Sequence, residues 1–500
     1  MTTTEALSTY REKISQLHAL NHAMGALSYD GSTAAPVEAA EGRGKTLSYL
    51  SNCSYEIETS KELAEAADWL NAHKDELTPQ DRREIEVFLR QKEYTASIPQ
   101  EEYVAYTELL NTADAVWHQA KQDNDFPAFA PLVKEIFETN RRFARYYKPD
   151  QDPYDTQLGL FERGLTQEKT DAFFEALKAR IVPLLKKVMA KPQVDDSFLR
   201  DKTFPVEIQR KFSDLLMELI RIDRNRCSIG ETEHPFTTSF NKKDVRITTH
   251  YFDDNVISSM YSVIHEGGHA LYELHSGDEL EGTVLSGGVS TSIHESQSRF
   301  MENYVGRSRA FIELILPKMQ ALFPEQLAGI TVEQMYRAVN KAEPSLIRTE
   351  ADELTYALHI LVRYEIEKEF FAGNITAEDL PRVWNEKYRA YLGVEVPDDR
   401  RGVLQDSHWS GGAVGYFPSY ALGSAYGAQM LAKMRQTVDV EAAIRSGDLS
   451  PINDWLEDHV WRWGGLYDPV ELLERAVGEA FDPKYFTNYL EEKFGAIYGC

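Results

Sequence analysis

Cysteine is scarce in this chain of 500 residues: Cys53, Cys227 and Cys500 are its only three. Three scattered thiols form no disulfide framework, and without a CxxC pair they offer no cysteine metal site. Such usage fits a reducing compartment, so a cytoplasmic location is expected. Long apolar runs are also missing. No stretch reaches the roughly 18 residues that a membrane span requires. The N-terminal MTTTEALSTYREKISQLHAL has no basic segment followed by an apolar one, so no signal peptide is expected. Positive charge is in deficit, with 54 Lys and Arg against 80 Asp and Glu and a net charge of −26. That balance repels phosphate backbones, argues against general nucleic-acid binding and reads as a solvated acidic surface.

What is present is an ordinary globular balance of 42% hydrophobic and 27% charged residues, in a chain long enough for one large domain or two joined ones. Apolar residues recur at spacings of three and four over 3–26, 60–75, 79–95, 100–122, 127–147, 166–190 and 205–225. The same helical pattern returns near 332–341, 350–372, 376–392, 419–447 and 468–494. One segment differs. HPFTTSFNKKDVRITTHYF, from His234 to Phe252, is rich in Thr, Val, Ile, Phe and Tyr, with Asn241-Lys242-Lys243 between two short runs. It predicts a hairpin whose first strand begins at His234, the start of a small antiparallel sheet. The expected fold is mainly α, a single unit over 1–500. Residues 1–120 are expected as a helical subdomain over a groove, and 230–420 as the region that holds the site. No linker marks the boundary.

The chemistry is concentrated in VISSMYSVIHEGGHALYELHS, residues 256–276. His265 and His269 are four apart, so on a helix they share a face one turn apart. Two imidazoles so placed both reach one Zn²⁺, and Glu266, next to the first, is set to act as general base toward a water at the metal. Two histidines on a helix also occur with no metal. Against that reading, Gly267 and Gly268 each cost a helix about 1 kcal/mol relative to Ala, so close approach of another helix or of substrate should compensate.

A third ligand is needed. In a HExxHxxGxxH pattern it would be His275, but Tyr272 occupies the glycine position and nothing breaks the helix there. On a continued helix His275 lies about 600° past His269 and points away from the metal. Glu273 lies about 12 Å along the axis from His265, too far to share an ion. A separate helix from about residue 291, STSIHESQSRFMENYVGRSRAF, offers Glu295 and His294. Spacing favours Glu295 and leaves His294 open. Ser292 and Glu295 also have the spacing of a capping box.

Five segments resemble the Taq-type zinc carboxypeptidases. They are Asp244-Val-Arg246-Ile-Thr248, His265-Glu-Gly-Gly-His269, His294-Glu295-Ser-Gln-Ser298, Ile347-Arg348-Thr-Glu-Ala351-Asp352-Glu353 and Gly402-Val-Leu-Gln405-Asp406-Ser-His408-Trp409. Weaker similarity appears at Tyr154-Asp155 through Gly164, at His234-Pro235-Phe236 and around Tyr29-Asp30 to Pro36. The resemblance implies removal of single C-terminal residues from peptides, with zinc on His265, His269 and Glu295 and with Glu266 as base. It implies a largely helical fold with a deep groove, related to neurolysin and angiotensin-converting enzyme, and a homodimer. No Asp lies three or four residues after Glu295, so the groups that orient the zinc histidines are left open.

By the same resemblance, a histidine and a tyrosine of the segment His408 to Tyr420 stabilise the oxyanion, His408 with Tyr416 or Tyr420. An exopeptidase must also hold a carboxylate, which arginine does bidentately, and Arg348 and Arg246 are the candidates. Each also has an internal ion pair open to it: Arg348 with Asp352 or Glu353, and Arg246 with Asp244. His234, at the expected strand start, joins them as a substrate contact, since an exposed strand edge there can bind a peptide by β-augmentation. Co²⁺ is expected to substitute for Zn²⁺ in such a site. Two other functions are open to the sequence: a zinc oligopeptidase cutting internal bonds, and a non-catalytic helical binding protein with a vestigial site.

Overall fold

The computed structural model describes residues 1–500. Helices dominate, and most follow the apolar spacing closely, among them Thr3–Thr33, Gln100–Asp123, Phe126–Tyr147 and Gln167–Met189. The run 419–447 is two helices, Pro418–Met434 and Val440–Ser446. The run 468–494 is also two, Pro469–Val477 and Lys484–Tyr498, because Gly478 leaves the helix with φ +80°. A positive φ suits glycine and ends the hydrogen-bonding register. The Ala40–Glu58 helix carries no apolar stripe, since it buries only Ser54, and periodicity therefore passes over it.

The sheet is mixed rather than antiparallel. β1 (Cys227–Glu231), β2 (Thr237–Asn241) and β3 (Asp244–Thr249) lie in the order β1-β3-β2. β2 and β3 form the expected hairpin, turned at Lys242-Lys243, where Asn241 Oδ1 accepts from Lys243 N at 2.8 Å. β1 pairs parallel to β3, because the chain passes β3's place, forms β2 at the far edge and only then returns to the centre. His234 is not in a strand. It is exposed in the loop before Thr237, its carbonyl accepting from Thr232 Oγ1 at 2.8 Å. β2 remains an edge strand, with a free side.

Two helices frame the site. Val256–Leu274 starts on an Asn255 side-chain cap and packs against β3, whose Val245 and Ile247 are fully buried. Thr291–Arg299 starts on Ser290, whose Oγ accepts from Ile293 N at 3.2 Å, so the cap is Ser290 and not Ser292. It runs on into a π-helical turn, Phe300–Gly306. The two helices touch backbone to backbone at Gly268, where a Cβ would come within 2.5 Å of Gln297 O and 2.6 Å of Ser298 Cα. From the other side, Pro418–Met434 lays Gly423 on Glu295 and Gly427 on Tyr304 and Ser296. Glycine is required at Gly268 and Gly423 because nothing larger fits between the backbones.

The main core runs from Ala113 to Tyr498. A separate, smaller core joins the N-terminal helices through Tyr10, Leu63, Leu70, Ile85 and Phe88. The Thr3–Thr33 helix reaches the sheet at β2, with His22 stacked 5.0 Å from Phe240 and Tyr29 edge-on to Phe236.

Candidate functional site

His265, His269 and Glu295 converge, with one ligand atom from each inside a span of 4.8 Å. Glu295 Oε2 lies 3.7 Å from His265 Nε2 and 3.5 Å from His269 Nε2. Ligands about 2.0–2.1 Å from a tetrahedral ion stand about 3.3 Å from one another, so the donor set and its spacing fit a metal ion. Both Nδ1 atoms turn away from this point. His265 Nδ1 meets Glu302 Oε2 at 2.9 Å, and His269 Nδ1 meets His294 Nδ1 at 2.6 Å. His294 therefore lies behind His269 and outside the group of three that could hold a metal. His275 caps the helix end with Nδ1 on Leu271 O, apart from the metal group.

Glu302 is the residue that sequence reasoning missed. It lies seven residues after Glu295, two helical turns on and hence on the same face, which is the signal that could have found it. Arg299 bridges the pair, Nε to Glu295 Oε1 at 2.8 Å and Nη1 to Glu302 Oε2 at 3.1 Å, and Arg307 adds a contact to Glu302 at 3.1 Å. Burial alone would raise both carboxyls. Arg299 together with His265, joined by His269 at Glu295 and by Arg307 at Glu302, outweighs it and holds both carboxyls well below the usual carboxylate range. Both carboxylates are therefore ionised at neutral pH, one facing the metal position and one holding the His265 ring.

The metal group opens into a cavity of about 840 Å³, lined also by Glu266, Glu273, Phe161, Thr237, Tyr416 and Tyr420. Thr237 Oγ1, on β2, donates to Glu266 Oε2 at 2.6 Å and fixes the carboxylate beside the candidate metal group. No lysine or arginine lines the cavity. His408 lies one layer behind it, Nε2 3.1 Å from Tyr420 Oη. Burial, against the pull of Asp406, pushes the His408 imidazole down to about 4, so it is neutral near pH 7. The loop is anchored by Glu367, which accepts from Trp409 Nε1 at 2.7 Å, Gly415 N at 2.8 Å and Tyr154 Oη at 2.9 Å.

Comparison with known proteins decides the family. The family model for carboxypeptidase Taq (M32) metallopeptidase matches residues 9–494. The chain belongs to the M32 carboxypeptidase family. It is a metallocarboxypeptidase, a hydrolase acting on peptides. Carboxypeptidase 1 of Bacillus subtilis (strain 168) is 38% identical over 493 residues, 98% of this chain and 96% of its own. Thermostable carboxypeptidase 1 of Thermus thermophilus is 35% identical, over 95% of this chain and 96% of its own. Among solved structures, the M32 carboxypeptidase of Deinococcus radiodurans R1 superposes with a TM-score of 0.96 at 35% identity, covering 99% of this chain and 100% of that one.

In this carboxypeptidase the arginines are engaged elsewhere. Arg348 is buried and pairs not with Asp352 or Glu353 but with Asp406, 3.0 Å from Nη2, while its Nη1 reaches Tyr356 Oη at 3.2 Å. Its guanidinium lies 4.9 Å from the centre of the Tyr420 ring. Asp352 instead caps the backbone of Leu354 and Thr355, and Glu353 pairs with Lys493. Arg246 closes bidentately on Asp244, with both contacts at 2.9 Å, and is flanked by Tyr29 and Phe240. Neither arginine nor His234 reaches the cavity wall.

Proposed function

We propose that the carboxypeptidase is zinc-dependent, with His265, His269 and Glu295 as ligands and Co²⁺ able to substitute, and that it releases single C-terminal residues. The observation that supports this reading is the meeting of a His₂Glu donor set, a carboxylate and two tyrosine hydroxyls in one cavity. Zinc in such a set supplies a Lewis acid that polarises the scissile carbonyl and acidifies water. Glu266 takes the water proton at its carboxylate and passes it to the leaving amine, and Thr237 keeps that carboxylate turned toward the reacting atoms. Tyr416 and Tyr420 supply neutral donors to the oxyanion. His408 Nδ1 is buried without a partner, so the ring proton belongs on Nε2, facing Tyr420 Oη. That arrangement leaves the Tyr420 hydroxyl hydrogen free for substrate.

The substrate chain runs along the free edge of β2, whose Thr237, Thr238 and Ser239 border the cavity. Arg348, behind Tyr420, is the group assigned to the terminal carboxylate, with Arg246 and His234 as contacts farther along the chain; since none of the three lines the cavity, each must turn out of its present contacts to reach substrate. In this reading residues 1–120 form the helical subdomain over the groove, the architecture is that of neurolysin and angiotensin-converting enzyme, and the working form is a cytoplasmic homodimer.

The experiment compares a free-acid peptide with its amidated twin. Losing a charge-assisted carboxylate contact costs about 1.5–3 kcal/mol, or roughly one to two decades in rate. The free acid should lose one residue at a time in a mass ladder, and Arg348→Ala should erase most of the difference between the twins. Equal cleavage of both at an internal bond would refute the reading.

A further inference from the structure

The two metal histidines are held by different devices. His265 Nδ1 meets an ionised carboxylate, Glu302, clamped by two arginines. His269 Nδ1 meets a second imidazole, His294, at 2.6 Å, and His294 Nε2 meets Glu273 Oε1 at 2.8 Å. With His269 Nε2 directed at the metal position, its Nδ1 carries the hydrogen. His294 Nδ1 must then accept, its own hydrogen resides on Nε2, and Glu273 accepts that one. Every donor in the row has an acceptor and the direction is unique.

The loop before the Thr291–Arg299 helix is shaped around this row. Gly288 N donates to the same Glu273 oxygen at 3.0 Å. A Cβ on Gly288 would run into the His294 ring, and one on Gly287, where φ is +84°, would lie 2.8 Å from Glu273 Oε2. Two consecutive glycines thus leave room for two polar side chains that carry no metal and face the cavity. Metal-bound histidines depend on such outer partners for ring orientation and basicity.

We propose that His294 and Glu273 are positioning residues, a hydrogen-bonded row that fixes the tautomer and ring plane of His269 for metal binding. The proposal rests on His269 being a zinc ligand. Its test is zinc affinity of the full-length enzyme, measured by competition with a chromophoric chelator. His294→Ala should weaken zinc roughly 10–100-fold, and Glu273→Gln should weaken it in the same direction. His294→Asn should restore part of the loss, since Oδ1 can accept from His269 and Nδ2 can donate to Glu273. Gly288→Ala, which leaves the row's side chains intact, should also weaken zinc by displacing the His294 ring. Where His294→Ala does not fold, His294→Asn, Glu273→Gln and Gly288→Ala decide. Wild-type zinc affinity in Glu273→Gln and Gly288→Ala overturns the proposal. Outright loss of zinc in His294→Asn with full retention in Glu295→Ala overturns instead the ligand assignment beneath it.

Discussion

Replacing Gly268 with alanine tests whether the metal site depends on backbone contact between two helices. Alanine in a helix interior is favoured over glycine by about 1 kcal/mol, so propensity alone predicts a more stable protein. Against that, the new methyl would stand 2.5 Å from Gln297 O and 2.6 Å from Ser298 Cα, both backbone atoms. An ordinary contact begins at 3.4 Å, so the helices must part by about 0.9 Å (3.4 − 2.5). Overpacking of this kind costs about 1–3 kcal/mol, so after the propensity gain the net effect should be a loss of about 0–2 kcal/mol. The displacement falls between His269, the next residue, and Glu295, two residues before Gln297. Ligand distances tolerate only about 0.2 Å, so zinc affinity should fall by roughly tenfold or more. Gly267→Ala is the control, because its methyl would meet only the side-chain ends of Ile220 and Ile222, which can rotate. Denaturant unfolding and chelator competition on both variants read the two effects. A Gly268→Ala protein as stable and as zinc-avid as the parent, or a larger zinc loss in Gly267→Ala, would refute the reasoning.

Glu266→Gln should keep zinc but lose turnover, because an amide cannot take the water proton, while Glu295→Ala should lose zinc affinity itself; elemental analysis with peptide turnover separates the two. Chelation should abolish activity, with Zn²⁺ or Co²⁺ restoring it, and activity that survives verified metal removal would contradict the assignment. The third expectation is a pH effect at His408, whose folded value of about 4 lies below the ordinary 6.5. Between those values the unfolded chain binds the extra proton, so His408 opposes folding increasingly as pH falls through that window, by about 2 kcal/mol between pH 7 and pH 5. His408→Gln should lack this contribution, and urea curves for the two proteins that shift in parallel between those pH values would exclude it.

The convergence of His265, His269 and Glu295 was legible because its constraint is local. His265 and His269 share a helix face at any position in any fold, and Glu295 needed only a returning helix. The glycines carried information too: Gly267 and Gly268 were unfavourable in isolation, and at Gly268 the expected close neighbour is the backbone at Gln297 and Ser298, while Gly267 meets only the Ile220 and Ile222 side chains. The helices with apolar stripes were equally readable. The Ala40–Glu58 helix was not, because it buries almost nothing and leaves no stripe to detect.

The amino-acid sequence by itself determined the helical periodicity, the hairpin turn at Lys242-Lys243 and the chemistry of the HExxH motif, since each depends on neighbours within a few residues. Tertiary structure alone decided which polar groups met. Asp406, not Asp352 or Glu353, neutralises Arg348, because the Asp352 carboxylate is taken by the helix start it caps and Glu353 by Lys493. Only tertiary structure set β1 parallel to β3 and brought Thr237 to Glu266. It also set His294 behind His269, although spacing left His294 eligible as a ligand. A buried charge or imidazole takes the partner that satisfies it within about 3 Å, and partners distant in sequence reach that range only when helices and sheet pack.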